Sequence, residues 1–206
     1  MIKRMRRYAL PLSILFLACA MDTAPARADS RLVGKKPGKI QGRWLEVSDL
    51  ETLRGAQGVY LGELTVDIQW KKQENEAPID EDLLQENLRD RLLETLRTEH
   101  PLGEVHSLAP DSSGQRIVRL DCTLEVEPGS RAARYVVGFG AGKSRSILEI
   151  HLIDHASGKE IGLYHGYGTG TGMGLKLAGG GARKMAQDDI QENSKMFAEL
   201  VNELRR

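Results

Sequence analysis

Four stretches of this chain alternate apolar and polar side chains with a period of two, and one long stretch between the first two repeats leucine at every fourth position. That combination admits few folds. A period of two gives a strand with one buried face, and a period near four gives a helix with one buried stripe. Elements with a single apolar side must cover one another in layers. Val59 to Trp70 sets Leu64, Val66, Ile68 and Trp70 on one face against Glu63, Thr65, Asp67 and Gln69 on the other. Asp80 is an N-cap ahead of Glu81 and Asp82, and Leu84, Leu88, Leu92 and Leu96 form the stripe of the helix it opens. His100-Pro101-Leu102-Gly103 stops that helix.

Arg116 to Glu127 is the second strand, ended by Pro128-Gly129. Ser146 to Asp154 and Glu160 to Gly168 are the third and fourth, joined by a turn at His155 to Lys159. Setting 153 opposite 161 in this hairpin puts Glu149 across from His165. Arg183 to Arg206 is the second helix, with Met185, Ile190, Phe197, Leu200, Val201 and Leu204 along one side. The expected fold class is therefore α+β, in the order β-α-β-β-β-α. It predicts a single mixed or antiparallel sheet of about four strands, with two helices packed on one face.

The first residues read as an address. Lys3 to Arg7 form a positive region and Tyr8 to Ala20 an apolar run. The run is too short for a membrane span, which needs ~20 apolar residues, and has the form of a secretory signal. Ala26-Arg27-Ala28 is a small-x-small cleavage site, and Phe16-Leu17-Ala18-Cys19 resembles a lipobox with Cys19 as the lipidated residue. Both exits stay open. The expected location is the periplasm, either soluble after cleavage at Ala28 or anchored to the outer membrane through Cys19. Residues 1–28 are then a signal peptide, 29–58 a tether and irregular lead-in rich in glycine and lysine, and 59–206 the α+β domain.

Charge narrows the partners. The chain has 29 basic and 29 acidic residues, and residues 1–28 hold five of the former and one of the latter. The remaining 24 basic and 28 acidic residues give a net charge of −4. An acidic body offers no footprint for a phosphate backbone, so nucleic acid is not an expected partner. Cys122 is the one cysteine of that body and alternates in phase with Val118, Leu120, Leu124 and Val126, which makes it a packing residue.

Three motifs invite a function. Gly138-Phe139-Gly140-Ala141-Gly142-Lys143-Ser144 looks like a phosphate-binding loop. That loop needs glycine five positions before Gly142, where Val137 stands, and a helix afterwards, where a strand period follows. No nucleotide or other cofactor is expected. Gly166, Gly168, Gly170, Gly172 and Gly174 alternate strictly, and 13 of the 22 glycines lie between 138 and 181. The run is either a flexible loop or an extended segment whose bare face admits another backbone or a partner. On the second reading, valines at Gly168 and Gly170 leave the fold intact and weaken partner capture. His151, His155 and His165 form the third motif, conceivable as a metal or small-ligand site on a hairpin but lacking a strong ligand spacing. No catalytic arrangement stands out.

Arg131-Ala-Ala-Arg134-Tyr-Val-Val-Gly138-Phe-Gly140-Ala-Gly142, then Leu148 to Asp154, then Ser157-Gly158-Lys159-Glu160 and the glycine run resemble the domain of unknown function 4410, a family of bacterial envelope proteins, many of them lipoproteins. The resemblance covers roughly 57–205, with Ser157 where the family often has threonine. It implies an exported α+β domain and supplies no catalytic residues. The expectation is a non-catalytic envelope protein that binds another envelope component through Arg131, Arg134, Gly138, Gly140, Gly142, Gly166, Gly168 and Gly170. The alternative is a metal or ligand module built on the three histidines.

Overall fold

The computed structural model describes residues 30–35, 42–69, 80–111, 114–127, 145–169 and 182–206. Its elements are β1 (Arg31–Lys35), β2 (Arg43–Val47), α1 (Leu50–Arg54), β3 (Gly58–Ile68), α2 (Glu81–Glu99), β4 (Glu104–His106), β5 (Ile117–Glu127), β6 (Arg145–Asp154), β7 (Glu160–Thr169) and α3 (Ala182–Arg205). They form one seven-stranded sheet in the order β1-β2-β7-β6-β5-β3-β4. It is mixed: β3 runs parallel to both β4 and β5, and the other pairs are antiparallel.

The expectation of about four strands and two helices is thus corrected to seven strands and three helices. The four strands read from alternation, β3, β5, β6 and β7, are each at least ten residues long. The three that escaped are five, five and three residues. A pattern of two needs four or more residues to be seen at all, and β1 sits in a glycine- and lysine-rich stretch. The segment read as a tether therefore supplies two strands and the five-residue α1.

α2 and α3 pack against each other and on the same side of the sheet. The leucine stripe of α2 is wholly inside, with Leu84 at 1% exposure and Leu88, Leu92 and Leu96 at zero. Ile190, Phe197, Leu200, Val201 and Leu204 of α3 meet it over Leu120, Cys122, Leu124, Leu148, Ile150 and Leu152. Burial pushes the Cys122 thiol far above its ordinary titration range, leaving it an unreactive packing group.

Local chemistry sets the element ends. The Asp80 carboxylate accepts the Leu83 amide at 3.1 Å, as its N-cap position predicts. His100 closes α2 at φ 47°, the left-handed region, and donates its amide to the Leu96 carbonyl. It is the one non-glycine residue at positive φ among those described. His100→Gly is expected to raise unfolding stability by about 1 kcal/mol in chemical denaturation, because the left-handed form costs most residues ~1–2 kcal/mol. In the middle of β3 the register against β5 slips between Leu61 and Leu64. The Asp121 carboxylate accepts the Glu63 amide there at 3.0 Å, and Arg119 holds its other oxygen at 2.9 Å. An ideal Cβ on Gly62 would lie 2.1 Å from Asp121 Oδ1, so glycine is the residue this bulge accepts.

Candidate functional site

Residues in register across a sheet share a face, and the pairings lay out the side opposite α2 and α3 row by row. One row runs Thr65, Thr123, Glu149, His165 and Trp44, across β3, β5, β6, β7 and β2. The next runs Asp67, Glu125, Ile147 and Tyr167. The hairpin register puts Glu149 opposite His165, as expected, but Ile153 pairs with Glu160 rather than with 161, because an irregularity follows Leu152 next to the turn. His165 Nδ1 lies 3.2 Å from Glu149 Oε1, and its ring stacks on Trp44 with centroids 5.4 Å apart. Along these rows Trp44, Ile147, Glu149 and His165 are half-buried and Tyr167 is buried.

The histidines do not converge. His151 Nδ1 is 2.8 Å from Glu160 Oε2, His165 belongs to Glu149, and His155 Nδ1 shares a hydrogen bond with the Tyr60 hydroxyl at 2.9 Å. Among the described residues no group of three or more His, Cys, Asp or Glu is arranged to hold a metal ion. A shallow cleft of about 400 Å³ lies where α2 and α3 end, lined by Glu99, Glu199, Asn202, Glu203 and Arg206.

The first two of the alternating glycines have a definite place. Gly166 and Gly168 lie in β7, and their bare side is turned to α3. An ideal Cβ on Gly166 would sit 2.5 Å from Asn193 Oδ1, and one on Gly168 would sit 2.5 Å from Asp189 Cγ and 2.4 Å from Ser146 Oγ. Tyr164, two residues earlier, meets Phe197 edge to face at 5.4 Å. Strand residues 168, 166 and 164 thus match helix residues 189, 193 and 197. Two strand residues advance ~6.8 Å and four helix residues 6.0 Å, so the two periods stay in step over this length. Glycine at every second position leaves a groove for polar helix side chains to enter.

That groove holds a buried polar cluster. Ser146 Oγ donates to Asp189 Oδ2 at 2.7 Å. The Tyr164 hydroxyl donates toward the Asn193 carbonyl at 3.1 Å and its Oδ1 at 3.2 Å. Asn193 Nδ2 is buried without an acceptor among the described residues. Arg43 reaches across from β2 to Glu192 at 2.6 Å, pinning the first strands of the sheet to α3. Burial raises the Asp189 carboxyl above its ordinary range, against the Ser146 hydroxyl, which lowers it. Burial likewise pushes the Tyr164 hydroxyl up.

Of the residues proposed from sequence, Gly166 and Gly168 are brought together with Ser146, Asp189 and Asn193. Arg131, Arg134, Gly138, Gly140, Gly142, Gly170 and Cys19 lie outside the described residues. The sequence reading missed Trp44, Ser146, Asp189 and Asn193. A signal existed for two of them: Asp189 and Asn193 interrupt a helix stripe that otherwise reads Ala186, Ile190, Phe197 and Val201, and all six are buried.

The fold and this face describe an α+β protein whose sheet is covered by helices on one side. The chain belongs to the family of the domain of unknown function DUF4410, whose model matches residues 49–174. No curated protein matches it. Among solved structures it is similar to the PelC dodecamer from Paraburkholderia phytofirmans, at 14% identity and a TM-score of 0.40, covering 81% of this chain and 97% of that one. A point variant of the same dodecamer gives 14% identity and a TM-score of 0.37, covering 85% and 98%.

Proposed function

We propose that this protein is an exported, non-catalytic member of the cell envelope. In this reading it resides in the periplasm, soluble after cleavage at Ala28 or attached to the outer membrane through Cys19, and binds another envelope protein. The observation that carries the binding reading is the sheet face opposite α2 and α3, where Trp44, His165, Glu149 and Thr123 stand in one row across adjacent strands. Arg131 and Arg134 join the binding surface in this proposal. The signal-like residues 1–28 support export. No described helix is long and apolar enough to cross a membrane.

The test places a photocrosslinking amino acid at Thr123 on this face and, in a second strain, at Arg89 on the exposed side of α2. Crosslinked products from intact cells are identified by mass spectrometry. The expected result is one envelope protein captured from Thr123 and absent from Arg89. Equal capture from both positions, or cytoplasmic proteins alone, would sink the proposal.

A further inference from the structure

Asp189 is 7% exposed, yet it is a carboxyl group set among backbone and neutral side chains at the start of the groove between α3 and β7. We propose that Asp189 is a pH-responsive clasp, holding the first turns of α3 against the ends of β6 and β7 more tightly as the surroundings acidify. Ser146 is the second residue of β6 and Gly168 the last but one of β7, so the clasp ties α3 to the ends of both strands.

The groups acting on Asp189 come from every side. β6 supplies the Ser146 hydroxyl, and β7 supplies the bare backbone of Gly168. β2 supplies Arg43, whose guanidinium is engaged by Glu192, and α3 itself supplies Glu192 and Asp188. An ionised carboxylate offers about four acceptor positions, and a buried one is stable only when they are filled. Ser146 is the hydrogen-bond donor that Asp189 has among the described residues. A protonated carboxyl needs fewer partners and can donate back to the same hydroxyl, which accepts as readily as it donates. Acidification therefore removes a desolvation cost and reverses the direction of the bond without breaking it.

Burial is the largest influence and raises the carboxyl; Ser146 and Arg43 oppose it, while Glu192 and Asp188 add to it. The folded protein then binds this proton more tightly than the unfolded chain. Stability from this group grows as pH falls through the raised folded value and is complete below the ordinary value of 3.8. Other carboxylates move the opposite way. Glu192 is held low by Arg43 and Asp49 by the Thr52 amide, so both lose stability on acidification. Asp189 is isolated by difference from a variant that cannot titrate there.

The experiment is amide hydrogen exchange on the full chain at pH 7 and pH 5, corrected for the intrinsic rates, in wild type and Asp189→Asn. The readout is protection in residues 186–194 and 164–168. The expected result is a ratio of protection, pH 5 over pH 7, that is larger in wild type than in the variant. At pH 5 the difference is about twofold where Asp189 titrates at pH 5 and about tenfold for each unit by which it titrates above that. Ser146→Ala, which removes the donor favouring the ionised form, moves the gain to higher pH. Equal ratios in wild type and Asp189→Asn overturn the proposal. If Asp189→Asn does not fold, carbon-detected NMR titration of the wild-type carboxyl decides. A midpoint above the ordinary range, with rising protection, supports the clasp, and one within that range overturns it.

Discussion

Gly168→Val is expected to destabilise the protein by about 2–6 kcal/mol, a large part of the ~5–15 kcal/mol that holds a domain together. The first β-carbon would lie 2.4 Å from Ser146 Oγ and 2.5 Å from Asp189 Cγ, distances no real Cβ adopts. Neither neighbour can withdraw cheaply, since both are buried and bonded to each other. Overpacking of a filled core costs ~1–3 kcal/mol. Forcing Ser146 and Asp189 apart leaves buried polar groups unmet, at ~1–3 kcal/mol more. Urea unfolding followed by far-ultraviolet circular dichroism checks this, with a lowered midpoint and an unchanged slope expected. Gly158→Asn is the control. Gly158 has open space around it and only its φ of 68° to satisfy, which asparagine tolerates, so a cost of at most about 1 kcal/mol is expected there. A Gly168→Val midpoint equal to that of Gly158→Asn would mean that α3 does not sit in the groove. The expectation from sequence alone, that valine at Gly168 leaves the fold intact, is reversed by this packing.

How far the sequence reached follows from what leaves a local pattern. The long strands and both long helices declared themselves because a half-buried strand of ten residues repeats its period several times over. The stripe of α2 and the phase of Cys122 were readable for the same reason. Counting placed Glu149 opposite His165, although the irregularity after Leu152 pairs Ile153 with Glu160, one residue off the counted register next to the turn. β1 and β2 left no such trace. β2 is a strand because it pairs with β7, and β1 because it pairs with β2; Arg43 and Trp44 are held by Glu192 and His165, partners more than a hundred residues away. The glycine run was read as open between a loop and a close approach. For Gly166 and Gly168 what decides it is α3, whose Asp189 and Asn193 occupy positions where its period calls for apolar side chains. Two irregularities, small residues in a strand and polar ones in a helix stripe, explain each other only when placed face to face. The face built around Trp44 was invisible for the reason that β2 was.

Phe197→Ala tests whether the match of β7 to α3 is a structural unit, and it is expected to cost about 3–5 kcal/mol, as buried phenylalanines do. Phe197 is fully buried and meets Tyr164 edge to face, at the point where the glycine groove ends and conventional core packing begins. At ~2–4 °C per kcal/mol for a chain of this size, the melting temperature should fall by about 6–20 °C. Tyr164→Phe separates ring from hydroxyl. It keeps the aromatic contact but deprives Asn193 of the donor that reaches its carbonyl and Oδ1, so a smaller loss of about 1–3 kcal/mol is expected. Asn193, whose Nδ2 has no acceptor among the described residues, would then retain two side-chain groups unmet among them. The double variant is expected to be less destabilised than the sum of the two, because removing Phe197 opens space in which Asn193 can find water. Strict additivity would show that the Tyr164 hydroxyl and the Phe197 ring act independently, and a Phe197→Ala loss below about 1.5 kcal/mol would show that α3 does not lie along β7 in this register.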